Sequence, residues 1–262
     1  MAEARGRRDA KVIGMALVGW REWANAALDL FFPPLCPLCR ARLDDGRRDP
    51  LCGGCWNGLE RLSPPYCQIC GRPFEVFEPS LEDGRRCEQC RRRRPPFAYA
   101  RAATLYKETA REALHAFKFG GKRSMARPLG EVMALAGEAS GLVEAVDCLV
   151  PVPLHGRRQA ERGFNQSALL ARHLGRRWRR PVVESALRRT TATRPQTDLG
   201  ADERRKNVRG AFALRRPEPI VGRHVLLIDD ILTTGATVSE CTRVLLEGGA
   251  KTVGVLTVAR VP

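Results

Sequence analysis

Eight cysteines packed into 55 residues constrain this chain more than anything else in it. They form four C-x-x-C pairs: Cys36/Cys39, Cys52/Cys55, Cys67/Cys70 and Cys87/Cys90. Twelve residues separate the first two pairs and sixteen the last two. Two such knuckles at that distance supply four thiolates to one tetrahedral Zn²⁺. The spacing therefore predicts two structural zinc sites, filled in sequence order; a crossed arrangement, first pair with third, satisfies the same spacing. A disulfide framework would need an oxidising compartment, and a single redox C-x-x-C would not need four repeats. Cys148 and Cys241 stand in strand-like and helix-like surroundings and read as buried thiols.

Charge divides the chain differently. Residues 98–262 hold 28 basic and 16 acidic side chains, most of the net +16 of the whole protein. Residues 33–97 hold 12 and 9, and two zinc tetrathiolates would take that segment slightly negative. A phosphate-attracting field thus belongs to the C-terminal two-thirds. Arg91–Arg94 precedes Pro95-Pro96 and reads as a solvated linker. Residues 12–32 place Leu17, Trp20, Ala24 and Phe31 on one helical face, suited to packing or to a partner or membrane surface. The apolar stretch from Val12 to Trp20 is too short to span a bilayer. The expected domains are 1–32, helical; 33–97, a double zinc ribbon; and 98–262, an α/β domain.

From Ala98 onward, apolar strand-like runs alternate with helical periodicity. Strands are expected at 98–106, 146–152, 182–187, 224–228 and 251–258, and helices at 109–119, 129–139, 164–178 and 236–247. Alternation of this kind gives a mostly parallel sheet with helices on both faces, and ligands bind beyond its C-terminal strand ends.

Residues 225–237, Val-Leu-Leu-Ile-Asp-Asp-Ile-Leu-Thr-Thr-Gly-Ala-Thr, attach chemistry to that expectation. An apolar strand delivers Asp229 and Asp230, acceptors suited to sugar hydroxyls or hydrated Mg²⁺. Thr233, Thr234, Gly235, Ala236 and Thr237 then form a turn into a helix, whose free N–H groups cradle phosphate. Arg157, Arg158 and Arg162 precede a helix whose start holds Asn165 and Gln166, a second anion site suited to pyrophosphate. The stretch 188–209 is long and poor in apolar residues, a lid or a disordered loop.

Residues 225–237 resemble the signature of type I phosphoribosyltransferases. With Val150–Arg157, Arg162-Gly-Phe-Asn-Gln166, Arg204, Asn207, Lys118-Phe119 and the cysteine pairs, the chain resembles the ComF family, associated with DNA uptake in naturally competent bacteria. The resemblance implies a phosphoribosyltransferase-like α/β fold joined to an N-terminal zinc ribbon. It also implies phosphoribosyl pyrophosphate, carried with Mg²⁺, as ligand. Arg204 and Asn207, on the expected lid, and Lys118 become candidate catalytic residues. A cytoplasmic location is expected, with the inner membrane surface as an alternative. The rival expectation is a module that senses nucleotides or holds single-stranded DNA without turnover, in company with DNA-uptake proteins. Only 6% of residues are aromatic, few for the stacking that single-strand binders use.

Overall fold

A computed structural model describes residues 34–43, 50–74, 85–191 and 201–262, without the side chains of 201, 202, 204 and 205. The helix expected at 12–32 and part of the expected lid, 192–200, lie outside the described residues. The chain divides into two compact units, Met1–Cys52 and Gly53–Pro262.

The second unit is built on a four-stranded parallel sheet. Its strands are β1 (Tyr99–Leu105), β2 (Cys148–Pro151), β5 (His224–Leu232) and β6 (Thr252–Arg260), in the order β1-β6-β5-β2. A separate antiparallel ribbon joins β3 (Leu187–Arg189) to β4 (Phe212–Leu214). The alternation of the sequence thus produces the parallel architecture it predicts. The expected strand at 182–187 is different: Val182 contributes one parallel bridge to Leu149, and the chain then turns away to form β3.

Side-chain alternation along β5 explains the two-sided core. Val225 and Leu227 join a cluster with Cys148, Val150, Val253 and Val255, which also includes Val238, Cys241, Val244 and Leu245 from the helix Ala236–Glu247. Leu226 and Ile228 are equally buried and point to the other face, as period two requires. There the helices Ala126–Ala139 and Gln166–Trp178 cover the sheet. Those helices approach closely: a Cβ at Gly137 would stand 2.6 Å from the Trp178 ring.

The cysteine knuckles share one local geometry. Arg40 N donates to Cys36 O (2.9 Å) and Cys36 N to Ala41 O (2.8 Å). Gly71 N donates to Cys67 O (2.8 Å) and Cys67 N to Arg72 O (2.7 Å). Both turns close through a left-handed residue, Arg40 at φ 60° and Gly71 at φ 68°. Gly71 also needs its missing side chain, since a Cβ would lie 2.6 Å from Ala100 O on β1. Cys67, Cys70, Cys87 and Cys90 belong to the same buried cluster as Phe97, Ala100 and the sheet. This cysteine group is therefore part of the core of the larger unit.

Candidate ligand cleft and metal centres

At the C-terminal end of β5 the sheet opens into a cleft of about 860 Å³, lined by residues of the second unit. That volume lies within the range of small-molecule sites. β5 runs further than hydrophobicity alone suggests. Pairing with β6 continues through Asp229↔Thr257 to Leu232↔Arg260, so both carboxylates are held by the sheet ladder.

The two acids differ in their surroundings. Asp230 Oδ2 lies 2.9 Å from Lys118 Nζ, with the side chains 13% and 18% exposed. Lys118 comes from the last turn of the helix Glu108–Phe119, so the candidate lysine and the acidic pair meet in space. Asp229 Oδ1 accepts from Ser167 Oγ (3.0 Å) and from the Asp230 backbone N–H (2.9 Å). Burial, reinforced by the charge of Asp230, pushes the Asp229 carboxyl up to about 7; the two hydrogen bonds and Lys118 act against that shift.

Beyond β5 the chain turns at Gly235, at φ 76°. A Cβ there would meet nothing closer than 3.7 Å, so glycine is required by the left-handed backbone and not by lack of space. Thr234 Oγ1 accepts from Ala236 N at 3.4 Å, which stabilises the turn. The helix Ala236–Glu247 follows, and Ser239 N is bonded back to Gly235 O. A helix start of this kind presents N–H groups that have no place in the helical ladder, an arrangement suited to an anion. Thr233, Gly235, Ala236 and Thr237 line the cleft.

The arginines arrive on a short helix of their own, Gly156–Arg162, ahead of the helix expected after them. Helical spacing puts Arg158, Glu161 and Arg162 on the face toward the cleft and leaves Arg157 off it. The backbone N–H of Arg157 donates to His155 Nδ1 (3.3 Å), and its side chain is exposed. Gly163, at φ 73°, ends the helix. Arg162 lies 5.0 Å over the ring of Phe119 and donates to Gln166 Oε1 at 3.1 Å. Asn165 does not line this cleft; it caps the next helix. Its Oδ1 accepts from Ser167 N (3.0 Å) and its Nδ2 donates to Val152 O (3.0 Å). It thereby fixes Gln166 and Ser167, which do line the cleft.

Asn207 lies on the helix Ala201–Val208, half-buried, and is not among the residues lining the cleft; the side chain of Arg204 lies outside the described residues. Arg189, from β3, is a lining residue that no local pattern announces. Burial presses its guanidinium below its ordinary range.

The cysteines gather in sequence order. Cys36, Cys39, Cys52 and Cys55 form one group, and Cys67, Cys70, Cys87 and Cys90 another, with the ligand atoms of each all within 4.8 Å of one another. The Cys39–Cys52 and Cys70–Cys87 sulfurs are 3.5 and 3.6 Å apart, close to the tetrahedral edge of about 3.8 Å implied by a Zn–S bond of about 2.3 Å. Four thiolates this close cannot coexist without a cation. In the thiols alone, the hydrogen bond from Cys70 draws Cys67 down to about 4, whereas Cys70 is driven up and burial pushes Cys90 up to about 12. The residues fit structural Zn²⁺ at both groups. Arg260, 3% exposed, donates to Cys70 Sγ (3.6 Å) and places a buried positive charge beside the second group.

The acidic pair is a poorer metal site. Asp230 is engaged by Lys118, and Asp229 tends to keep its proton. Among the described residues the two cysteine groups are the metal-ligating clusters, and no helix is long and apolar enough to cross a membrane.

Comparison with known proteins finds two family models in the chain. The double zinc ribbon domain matches residues 27–93 and the phosphoribosyl transferase domain residues 160–262. The chain is similar to DNA utilization protein YhgH of Escherichia coli K12, 34% identical over 88% of this chain and 99% of that protein. It is also similar to competence protein F of Haemophilus influenzae, at 30% over 88% and 98%, and to competence protein ComFC of Bacillus subtilis, at 29% over 77% and 80%. Among solved structures, a purine phosphoribosyltransferase from Pyrococcus horikoshii aligns with 50% of this chain and 82% of its own, at 12% identity and a TM-score of 0.32.

Proposed function

Because this chain belongs to the ComF family, with a double zinc ribbon and a phosphoribosyl transferase domain, we propose that its cleft binds phosphoribosyl pyrophosphate or a closely related ribose 5-phosphate. The observation that carries this reading is the convergence of Asp229, Asp230, the Gly235 turn, Arg158 and Arg162 on one cleft. Asp229 and Asp230 accept from the ribose hydroxyls. Thr233 to Thr237 and the first turn of the following helix hold the 5′-phosphate. Arg158 and Arg162 face the pyrophosphate and oppose the charge that develops as it departs. Lys118 positions Asp230. Arg204 and Asn207 belong to a segment that closes over the bound ligand. Mg²⁺, when bound with phosphoribosyl pyrophosphate, neutralises the diphosphate, and its ligands come mainly from that molecule, since the acidic pair is already engaged.

The names of the relatives extend the proposal. A competence protein and a DNA utilization protein share this architecture, so the ribose-phosphate site serves DNA uptake or the use of the DNA taken up. Whether a base accepts the ribose separates a transferase from a sensor. The test is calorimetry with phosphoribosyl pyrophosphate and Mg²⁺, followed by turnover against a panel of purine and pyrimidine bases. Saturable binding lost in Asp229→Asn/Asp230→Asn supports the site. Unchanged affinity in that double variant refutes it, and binding without turnover on any base selects the sensor.

A further inference from the structure

A second cleft, of about 570 Å³, opens on the other side of Pro153 and Leu154, and five arginines line it: Arg123, Arg172, Arg188, Arg189 and Arg215. One acid stands among them, Glu184, and both its oxygens are taken by the Arg172 fork at 2.5 and 2.7 Å. Leaving Arg189 aside, Arg123, Arg188 and Arg215 give the cleft about three positive charges with no carboxylate partner among the described residues. Arg188 and Arg215 are exposed, and among the described residues neither is paired with a carboxylate. Their backbones are nonetheless fixed. Arg188 pairs with Ala213 in the β3–β4 ribbon, and Arg215 N donates to Ala186 O (2.8 Å). In an antiparallel ladder this makes Arg188 and Arg215 diagonal neighbours on one face, about 7–8 Å apart. A rigid ribbon thus aims two guanidinium groups into one concavity.

We infer that this second cleft binds a compact polyphosphate, inorganic or nucleoside-linked. Guanidinium forks suit phosphate oxygens, and the excess positive charge matches a chain of two or three phosphates better than a single one. A nucleic acid strand is less well served. Phe164, the aromatic residue of the cleft, already carries the Arg123 guanidinium 5.2 Å above its ring and packs on Phe117, so no ring is left for a base to stack on. The inference does not rest on the reading of the first cleft, although Arg189 is a wall common to both.

The experiment uses the full chain and inorganic tripolyphosphate. An Arg162→Ala variant weakens anion binding at the first cleft, and tripolyphosphate should still bind it at one saturable site. Adding Arg188→Ala and Arg215→Ala should weaken that binding at least about tenfold, the effect of losing charged hydrogen bonds. Zinc content and far-ultraviolet circular dichroism should be unchanged, because both side chains are exposed. A parallel titration with ATP tells the sources apart: equal affinity means that only the phosphates are read, and tighter ATP binding means that the nucleoside adds contacts. Loss of all tripolyphosphate binding in Arg162→Ala alone, or a triple variant within twofold of it, would overturn the inference. Failure of phosphoribosyl pyrophosphate to bind would leave this result standing.

Discussion

Lys118 Nζ and Asp230 Oδ2 sit 2.9 Å apart on the floor of the ligand cleft, and they join a helix end to a strand 112 positions later in the chain. Neither group has much access to water, so each depends on the other. Removing the lysine takes away the nearest counter-charge of a shielded carboxylate, a loss of about 1–3 kcal/mol. Lys118→Met should lower stability by that amount, and Lys118→Met/Asp230→Asn should recover part of it. Urea unfolding of the four proteins in a double-mutant cycle measures the coupling; additive effects would show that the pair is incidental.

The raised titration of Asp229 predicts the sign of a pH effect. Its carboxyl titrates near 7 in the folded chain, against 3.8 as the ordinary value. Between those values the folded state holds more protons than the unfolded one. Its contribution therefore declines as pH rises from about 4 to 7. Asp229→Asn keeps an acceptor for Ser167 and Asp230 N and removes the ionisation. The variant should be roughly 1–2 kcal/mol more stable than the parent at pH 8, a few degrees in Tm. At pH 4 the two should converge. Its binding of phosphoribosyl pyrophosphate should fall at the same time. Scanning calorimetry at both pH values checks the stability arm.

Gly235 answers a backbone demand, and its substitution should show that. Gly235→Ala has room for the methyl group but must hold φ at 76°. The expected loss is about 1 kcal/mol of stability, with ligand affinity reduced because the turn that presents the phosphate cradle shifts. Thermal unfolding with and without phosphoribosyl pyrophosphate separates the two effects.

Zinc removal should reach beyond the ribbon. Cys67, Cys70, Cys87 and Cys90 share one buried cluster with Phe97 and Ala100. Cys67→Ser should therefore destabilise the parallel sheet itself, whereas Cys39→Ser, at an exposed member of the other group, should leave the sheet folded. Metal analysis should give about two Zn²⁺ per chain. Arg260→Leu should release the second ion to a chelator several-fold faster, since it withdraws the charge donating to Cys70 Sγ.

Local signals made parts of this molecule legible. Cysteine spacing announced the four knuckles, because a knuckle is a property of six consecutive residues, but it left a crossed arrangement open, and only the fold brings the pairs together in sequence order. The run from Val225 to Ile228 announced a buried strand. Arg158 was harder. Choosing it over Arg157 requires knowing that 156–162 is helical, and an Arg-rich, weakly apolar segment has no periodicity to reveal this. Ser167 and Arg189 reach the cleft through tertiary packing alone. The strand expected at 182–187 had the right composition, but residues beyond Val182 found their partner in β4 and not in the main sheet.

The strand order β1-β6-β5-β2 has a consequence for the birth of the protein. As it leaves the ribosome, β1 has no sheet neighbour until β6 has been made, and β2 waits for β5. Pairings this distant in sequence form slowly, and the unpaired edges are open to aggregation meanwhile. Ala100 and Ala102 on β1, buried at the end, thus lack their sheet partner through more than half of synthesis, and Leu149 and Val150 on β2 wait some further stretch of chain for theirs, so the sheet closes only when the last strand has been made.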